Sequence, residues 1–325
     1  MYLPNFTLLR PQTLAAAGQL AAEPHARIVS GGTGLLPNLR LGLGAPRTLV
    51  SLDALQELRQ IERCDGQLRI GACVTLARLA QAEELAGEYA ALIEAAAAVG
   101  APGHREAATL GGNLCLDTRC LYYNQSEHWR RSNGYCLKLG GDTCHVAPQG
   151  NKCRAAYSAD LAPALLALDA QVEIASGDGA LRVRPLSELY LDDGAKCLAL
   201  EPGEIVAAVR LPARKARSGY AKARLRGAID FPLAGVAIAL EVKDGRVAYL
   251  RVALTGTNSR PLLVAGTEAL LGTAAGDALG AALAKLVQKQ AAPLRTTIIA
   301  ADYRRQAAAV LARRLAARLS KGATP

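Results

Sequence analysis

Apolar and polar positions along the first hundred residues follow two periods. "ARIVSGG", "RTLVSL" and "QLRIGA" are short apolar runs bounded by turn residues and read as strands, whereas "AEELAGEYAALIEAAAAVG" has the length of a helix ending at Gly100. This alternation is an α/β pattern. Further on, "DLAPALLALDA" predicts a helix capped by Asp160, and "QVEIAS" and "EIVAAVRLP" predict two more strands. From about Ser218 the pattern changes to three strand-like runs, "GYAKARLR", "PLAGVAIALEV" and "RVAYLRVALTG", the last two joined by "KDGR", whose Asp-Gly pair favours a tight hairpin. Alanine- and leucine-rich helices follow. The expected organisation is a domain over residues 1–215 and a second over 216–325, the latter an antiparallel sheet of three strands backed by helices. No fixed-period repeat is visible.

Composition narrows the class. A chain of 325 residues with 51% hydrophobic residues has enough apolar surface for two or three cores, which excludes disorder. The segment "MYLPNFTLLRPQTLAAAGQL" lacks a basic stretch followed by a sustained apolar core, and no run reaches the ~18 apolar residues of a membrane span. A cytoplasmic location is therefore expected. The net charge of +10 raises nucleic acid as a partner. However, Lys and Arg are scattered, one Trp and two Phe leave little for base stacking, and no recognition motif is present. The densest basic stretch, Tyr303 to Gly322, carries Ala307, Val310, Leu311, Leu315 and Leu319 near helical spacing and reads as an amphipathic helix with a solvated or partner-docking face.

Two glycine turns carry candidate chemistry. In "RIVSGGTGLLPNLR", Ser30, Gly31, Gly32, Thr33 and Gly34 lie between a strand and a helix-like stretch, where free backbone N–H groups can cradle a diphosphate. The turn is neither the G-x-G-x-x-G fingerprint nor a P-loop. A second turn, "ATLGGNL", offers the side chains of Thr109 and Asn113. Two such turns suit a long dinucleotide held at several points.

Cysteine supplies the third signal. Five of the eight cysteines fall between Leu114 and Cys153, while Cys64, Cys73 and Cys197 stand singly among apolar residues as expected buried hydrophobes. In a reducing compartment, grouped cysteines more often bind metal or carry redox chemistry than form disulfides. Cys120, Cys136, Cys144 and Cys153 are separated by 15, 7 and 8 residues, without the short knuckles usual in structural zinc sites. Spacing alone leaves an iron–sulfur cluster, zinc, disulfides and free thiols open.

In order along the chain, "IVSGGTGLLPNLR", "TLGGNL", "SADLAPALLALDA", "EIVAAVRLP", "AKARLRGAIDFPLAGVAIAL" and "TGTNSRPLLVAGTEALLG" resemble the FAD-binding subunit of the molybdenum hydroxylase family, which includes xanthine and carbon monoxide dehydrogenases. The resemblance implies a two-subdomain FAD-binding domain of α/β type followed by a smaller α+β C-terminal flavoprotein domain. It implies that Ile28, Val29, Ser30, Gly31, Gly32, Thr33, Gly34 and Leu35 wrap the FAD diphosphate, with Gly34 replacing a residue that is often polar in relatives. Thr109, Leu110, Gly111, Gly112 and Asn113 would form a second flavin loop, with Val99, Asp160 and Lys222 as further cofactor contacts. Read without the resemblance, Asp160 is a helix cap and Lys222 a solvated strand lysine.

In the family a short link joins the second glycine turn to the helix after Asp160, whereas here 46 residues intervene. An insertion at about 115–156 resembles that of the 4-hydroxybenzoyl-CoA reductase branch. This implies a [4Fe-4S] cluster on Cys120, Cys136, Cys144 and Cys153, with Cys115 as a spare thiol. His128 and His145 are substitute ligands, and Trp129, Tyr122 and Tyr123 are expected to pack the insertion onto the domain. The implied function is an oxidoreductase subunit acting as an electron inlet in anaerobic aromatic degradation: a ferredoxin donor, then [4Fe-4S], FAD, a small [2Fe-2S] subunit and a large molybdopterin subunit, in a dimer of heterotrimers. No catalytic base is expected on this chain. The alternatives are an FAD subunit of another molybdenum hydroxylase acting oxidatively, and a non-catalytic scaffold with a zinc-stabilised insertion.

Overall fold

A computed structural model describes residues 2–64, 66–295 and 299–321. Gly322, the last residue of the expected C-terminal helix, lies outside them. Strands β1 (Thr7–Leu9), β2 (Ala26–Val29) and β3 (Thr48–Ser51) form a parallel sheet in the order β1-β3-β2, with Ile28 opposite Val50. The helix Leu14–Ala22, whose first turn is capped by the Thr13 hydroxyl, crosses over this sheet. Strands β4 (Ile61–Cys64), β5 (Gln67–Gly71), β6 (Gln171–Ala175), β7 (Leu181–Pro185) and β8 (Ile205–Pro212) form an antiparallel sheet in the order β4-β5-β8-β6-β7. Its inward residues Leu68, Ile70, Val172, Ile174, Val209 and Leu211 pack with the helices Leu76–Ala80, Ala90–Ala98 and Leu161–Ala167 into one core.

The C-terminal sheet has four strands, not three: β9 (Arg217–Ala223), β10 (Ala234–Lys243), β11 (Arg246–Thr255) and a two-residue β12 (Leu262–Leu263), in the order β12-β11-β10-β9. The β10–β11 hairpin turns at Asp244 and Gly245, both with positive φ, the geometry that an Asp-Gly pair favours. Alternation along β10 sorts its side chains by size. Val236, Ile238 and Leu240 face the helices Asp277–Gln290 and Ala301–Lys321, whereas Ala237 and Ala239 join the core of the N-terminal region.

Two further expectations change, and the C-terminal helix is amphipathic as expected. Only Ala90–Ala98 of the long alanine-rich segment is α-helical, because Gly87 interrupts it and Tyr89 is drawn into the core, its hydroxyl donating to the Pro212 carbonyl at 3.3 Å. Along Ala301–Lys321 the apolar stripe is spent internally: Ala308, Ala312, Leu315, Ala316 and Leu319 are buried against the chain's own sheet, leaving Val310 and Leu311 half-buried. Cys64 is exposed, while Cys73 and Cys197 are buried. Among the described residues no helix is long and apolar enough to cross a membrane.

Candidate functional site

Both glycine turns meet at one place. β2 ends at Val29, and the following turn lies against residues 107–109 so closely that a Cβ on Gly31 would stand 1.7 Å from the Ala107 carbonyl oxygen. Glycine is therefore required there by contact, since any side chain would collide with the Ala107 backbone. The Thr109 hydroxyl fastens the pair, donating to Ser30 Oγ at 3.1 Å while accepting from the Gly112 N–H at 3.2 Å. Ser30 Oγ in turn reaches Cys73 Sγ at 3.6 Å.

Two adjoining cavities open over this junction and share Thr33, Gly34, Gly112 and Leu116 in their walls. One, of about 610 Å³, is lined by Ile28, Val29, Ser30, Gly32, Thr33, Gly34 and Leu35 together with Asn38, Asp117 and Lys138. The other, of about 310 Å³, is lined by Val99, Thr109, Asn113 and Asp160 together with Arg119 and Phe231. Polar atoms in these walls lack partners: Asn38 Oδ1 and Arg119 Nε are buried and accept or donate no hydrogen bond. Unsatisfied groups beside a glycine-lined cleft of this size fit a dinucleotide with hydrogen-bonding groups along its length.

The expected contacts divide by what they touch. Leu110 is fully buried in the core, Gly111 packs on Ala72, and Gly31 serves the loop–loop contact, so these three shape the cleft from behind. Asn113 lines the cleft, but its side-chain carbonyl accepts from the Leu161 N–H at 3.1 Å. It therefore caps the Leu161–Ala167 helix, a role assigned above to Asp160, whose side chain makes no cap bond. Asp160 is instead buried in a polar triad: Lys222 Nζ lies 3.0 Å from Oδ1, and the Tyr220 hydroxyl donates to the same oxygen at 2.6 Å. Burial raises the Asp160 pKa, opposed by Lys222 and by the Tyr220 hydrogen bond. Lys222 is correspondingly 3% exposed, not solvated, and also donates to the Asp230 carbonyl at 3.2 Å. It stands behind Asp160, and Asp160 carries its charge to the cavity wall.

Arg119, Asn38, Asp117, Lys138 and Phe231 were not anticipated. Arg119 stacks its guanidinium over the Phe231 ring at 4.0 Å, and burial lowers its pKa. Arg119, Asp117 and Lys138 come from the insertion, Asn38 from the helix Leu35–Arg40 and Phe231 from the β9–β10 connection, so they meet only in three dimensions.

The insertion is an ordered body. Arg130, 1% exposed, donates to the Gln125, Leu41 and Gly42 carbonyls and pairs with Glu127 at 2.8 Å, tying the helix Glu127–Ser132 to the end of the helix Leu35–Arg40. A bridge between Arg119 and Ala156 closes its base. Within it, Cys120, Cys136, Cys144 and Cys153 line one small cavity with Tyr122, Tyr123, Lys138 and His145. Among the described residues no three Cys, His, Asp or Glu gather tightly enough to hold a single metal ion. Burial pushes the Cys120 thiol up and the Cys153 thiol up to about 11, and Cys153 Sγ accepts from the Ala155 N–H at 3.4 Å. Cys115 lies apart, half-buried beneath the 610 Å³ cavity, its thiol pushed up to about 12 by burial and by neighbouring Cys197. His128 is exposed, whereas His145 lines the cysteine cavity with Nε2 bonded to the Tyr135 carbonyl at 2.5 Å. Tyr122 stacks between Trp129 and His145, with centroids 5.7 and 4.8 Å away.

Residues 4–214 match the family described as the FAD binding domain in molybdopterin dehydrogenase, and residues 218–319 match the CO dehydrogenase flavoprotein C-terminal domain. The chain belongs to this flavoprotein family. It is 36% identical over 278 residues to the aldehyde oxidoreductase FAD-binding subunit PaoB of Escherichia coli K12, covering 82% of this chain and 86% of that protein. It is 28% identical over 316 residues to the carbon monoxide dehydrogenase medium chain of Afipia carboxidovorans, with 95% of each covered. Among solved structures, Cu,Mo-CO dehydrogenase superposes with a TM-score of 0.80 at 25% identity, over 99% of this chain and 100% of that one. The flavoprotein is thus the FAD-binding subunit of a molybdenum-hydroxylase-type oxidoreductase.

Proposed function

We propose that this flavoprotein is an electron-relay subunit with two redox sites, FAD in the glycine-lined cleft and a [4Fe-4S] cluster held by Cys120, Cys136, Cys144 and Cys153. One observation carries the second site: four cysteines far apart in the sequence line a single cavity inside an ordered insertion. Bound FAD would supply exchange between two-electron and one-electron chemistry, and the cluster a one-electron centre. This chain's residues bind and tune. Residues 28–35 and 109–113 supply the backbone of the cleft, and Asn38 and Arg119 offer hydrogen-bonding atoms not otherwise used. The Asp160–Lys222–Tyr220 triad sets the charge at the end lined by Val99, and the buried thiols would ionise on binding iron.

The names of the relatives, an FAD-binding subunit and a medium chain, support a multi-subunit complex; a large molybdopterin subunit and a small [2Fe-2S] subunit are the partners the family resemblance implies, and an aldehyde is the substrate class that PaoB suggests. The insertion supports a second reading, an anaerobic 4-hydroxybenzoyl-CoA reductase fed by ferredoxin and assembled as a dimer of heterotrimers. The two readings share this chain's chemistry and differ in direction. Assaying the assembled complex with an aldehyde and an artificial acceptor, and with 4-hydroxybenzoyl-CoA and a low-potential donor, separates them. The cluster is tested by Cys136→Ser: iron and acid-labile sulfide should fall while flavin stays bound, and an unchanged iron content would remove Cys136 from the ligand set.

A further inference from the structure

Lys138 has a position that pairing with Asp117 alone does not require. It lies two residues after Cys136 in the 3₁₀ turn Leu137–Leu139, with its side chain 6% exposed. Its ammonium donates to Asp117 Oδ1 at 2.6 Å, to the Thr118 hydroxyl, and to the Thr118 carbonyl at 3.3 Å, and it sits 4.3 Å above the Tyr123 ring. Lys138 and Tyr123 line both the cysteine cavity and the 610 Å³ cavity of the flavin cleft, forming the partition between them. Asp117 is held in turn by the Tyr123 hydroxyl at 2.6 Å and Asn38 Nδ2 at 3.4 Å on its other oxygen. A buried ammonium costs several kcal/mol unless it is paired. Here the pairing holds the ammonium in the wall of the cavity that Cys120, Cys136, Cys144 and Cys153 line.

We propose that Lys138 is the fixed cation that tunes the reduction potential of the four-cysteine centre, and that Asp117 sets how much of that charge the centre feels. The proposal rests on the cluster reading above. A cluster on four thiolates is net negative, and taking up one electron makes it more so. A nearby cation therefore favours the reduced form, and a carboxylate paired to that cation partly cancels the effect. Opposite shifts follow for the two partners: Lys138→Met lowers the potential, and Asp117→Asn raises it.

The test uses the full chain purified anaerobically with its flavin, with iron and sulfide analysis followed by a dithionite titration monitored by electron paramagnetic resonance. Dithionite supplies the single electron taken up per cluster. Each charge removal is expected to move the reduction equilibrium by on the order of tenfold, ~59 mV for one electron, with opposite signs, while Lys138→Arg stays near wild type. Should Lys138→Met fail to fold, the upward shift in Asp117→Asn remains the decisive reading. Clusters present in all variants with coincident midpoints, or shifts of the same sign, would overturn the tuning role and leave the cluster standing. Wild-type protein without iron and sulfide would overturn the cluster reading and this proposal with it.

Discussion

Asp160 and Lys222 form a buried pair at the floor of the flavin cleft, with side chains 5% and 3% exposed and the Tyr220 hydroxyl as third partner. Such a pair adds little net stability, but removing one member leaves the other's charge in a low-dielectric site. Lys222→Met is accordingly expected to destabilise the chain by about 3–5 kcal/mol in urea unfolding. Removing both charges, in Asp160→Asn combined with Lys222→Met, should recover much of that loss. Because burial already raises the Asp160 pKa, losing Lys222 removes the largest opposing influence and pushes it higher still, so the single variant would carry a protonated Asp160 well above the ordinary carboxylate range. A single variant as stable as wild type would mean that water or another cation neutralises the site.

At the scale of elements, the cleft depends on two loops touching, and Gly31 is where they touch. Gly31→Ala would drive a Cβ into the Ala107 carbonyl and force the loops apart, whereas Gly87 has open space around its Cβ position. Flavin released on denaturation should fall at least several-fold in Gly31→Ala and stay unchanged in Gly87→Ala. Equal flavin in both would show that the contact does not shape the site. The glycine turns, the central strands and the β10–β11 hairpin were legible because each is dictated locally, by an apolar run, a steric requirement or an Asp-Gly pair. Strands β1, β4, β7 and β12 were not, being short edge strands: Leu181–Pro185 is largely exposed and takes its conformation from pairing with β6. Asp160 was misread for a related reason. Its position before a helix is a cap signal, but the cap comes from Asn113, distant in sequence. The insertion was legible as a cysteine surplus, and the grouping of its four cysteines only through the family resemblance; its docking by Arg130 onto the carbonyls of residues 41 and 42 has no local signal.

For the whole molecule, the C-terminal sheet is buried on both faces, by its own helices on one side and by the helices Ala90–Ala98 and Leu161–Ala167 on the other. That packing places Lys222 on β9 beneath Asp160 at the start of the Leu161–Ala167 helix, so the flavin cleft is built from both matched family segments. The same body carries the insertion beside the cleft, with Tyr123 and Lys138 as a common wall. A two-site electron relay is the function this arrangement supports. The most direct test is the flavin, iron, acid-labile sulfide and zinc content of the anaerobically purified full chain. The account predicts about one FAD with about four iron and four sulfide per chain. Zinc without sulfide, and no flavin released on denaturation, would contradict it.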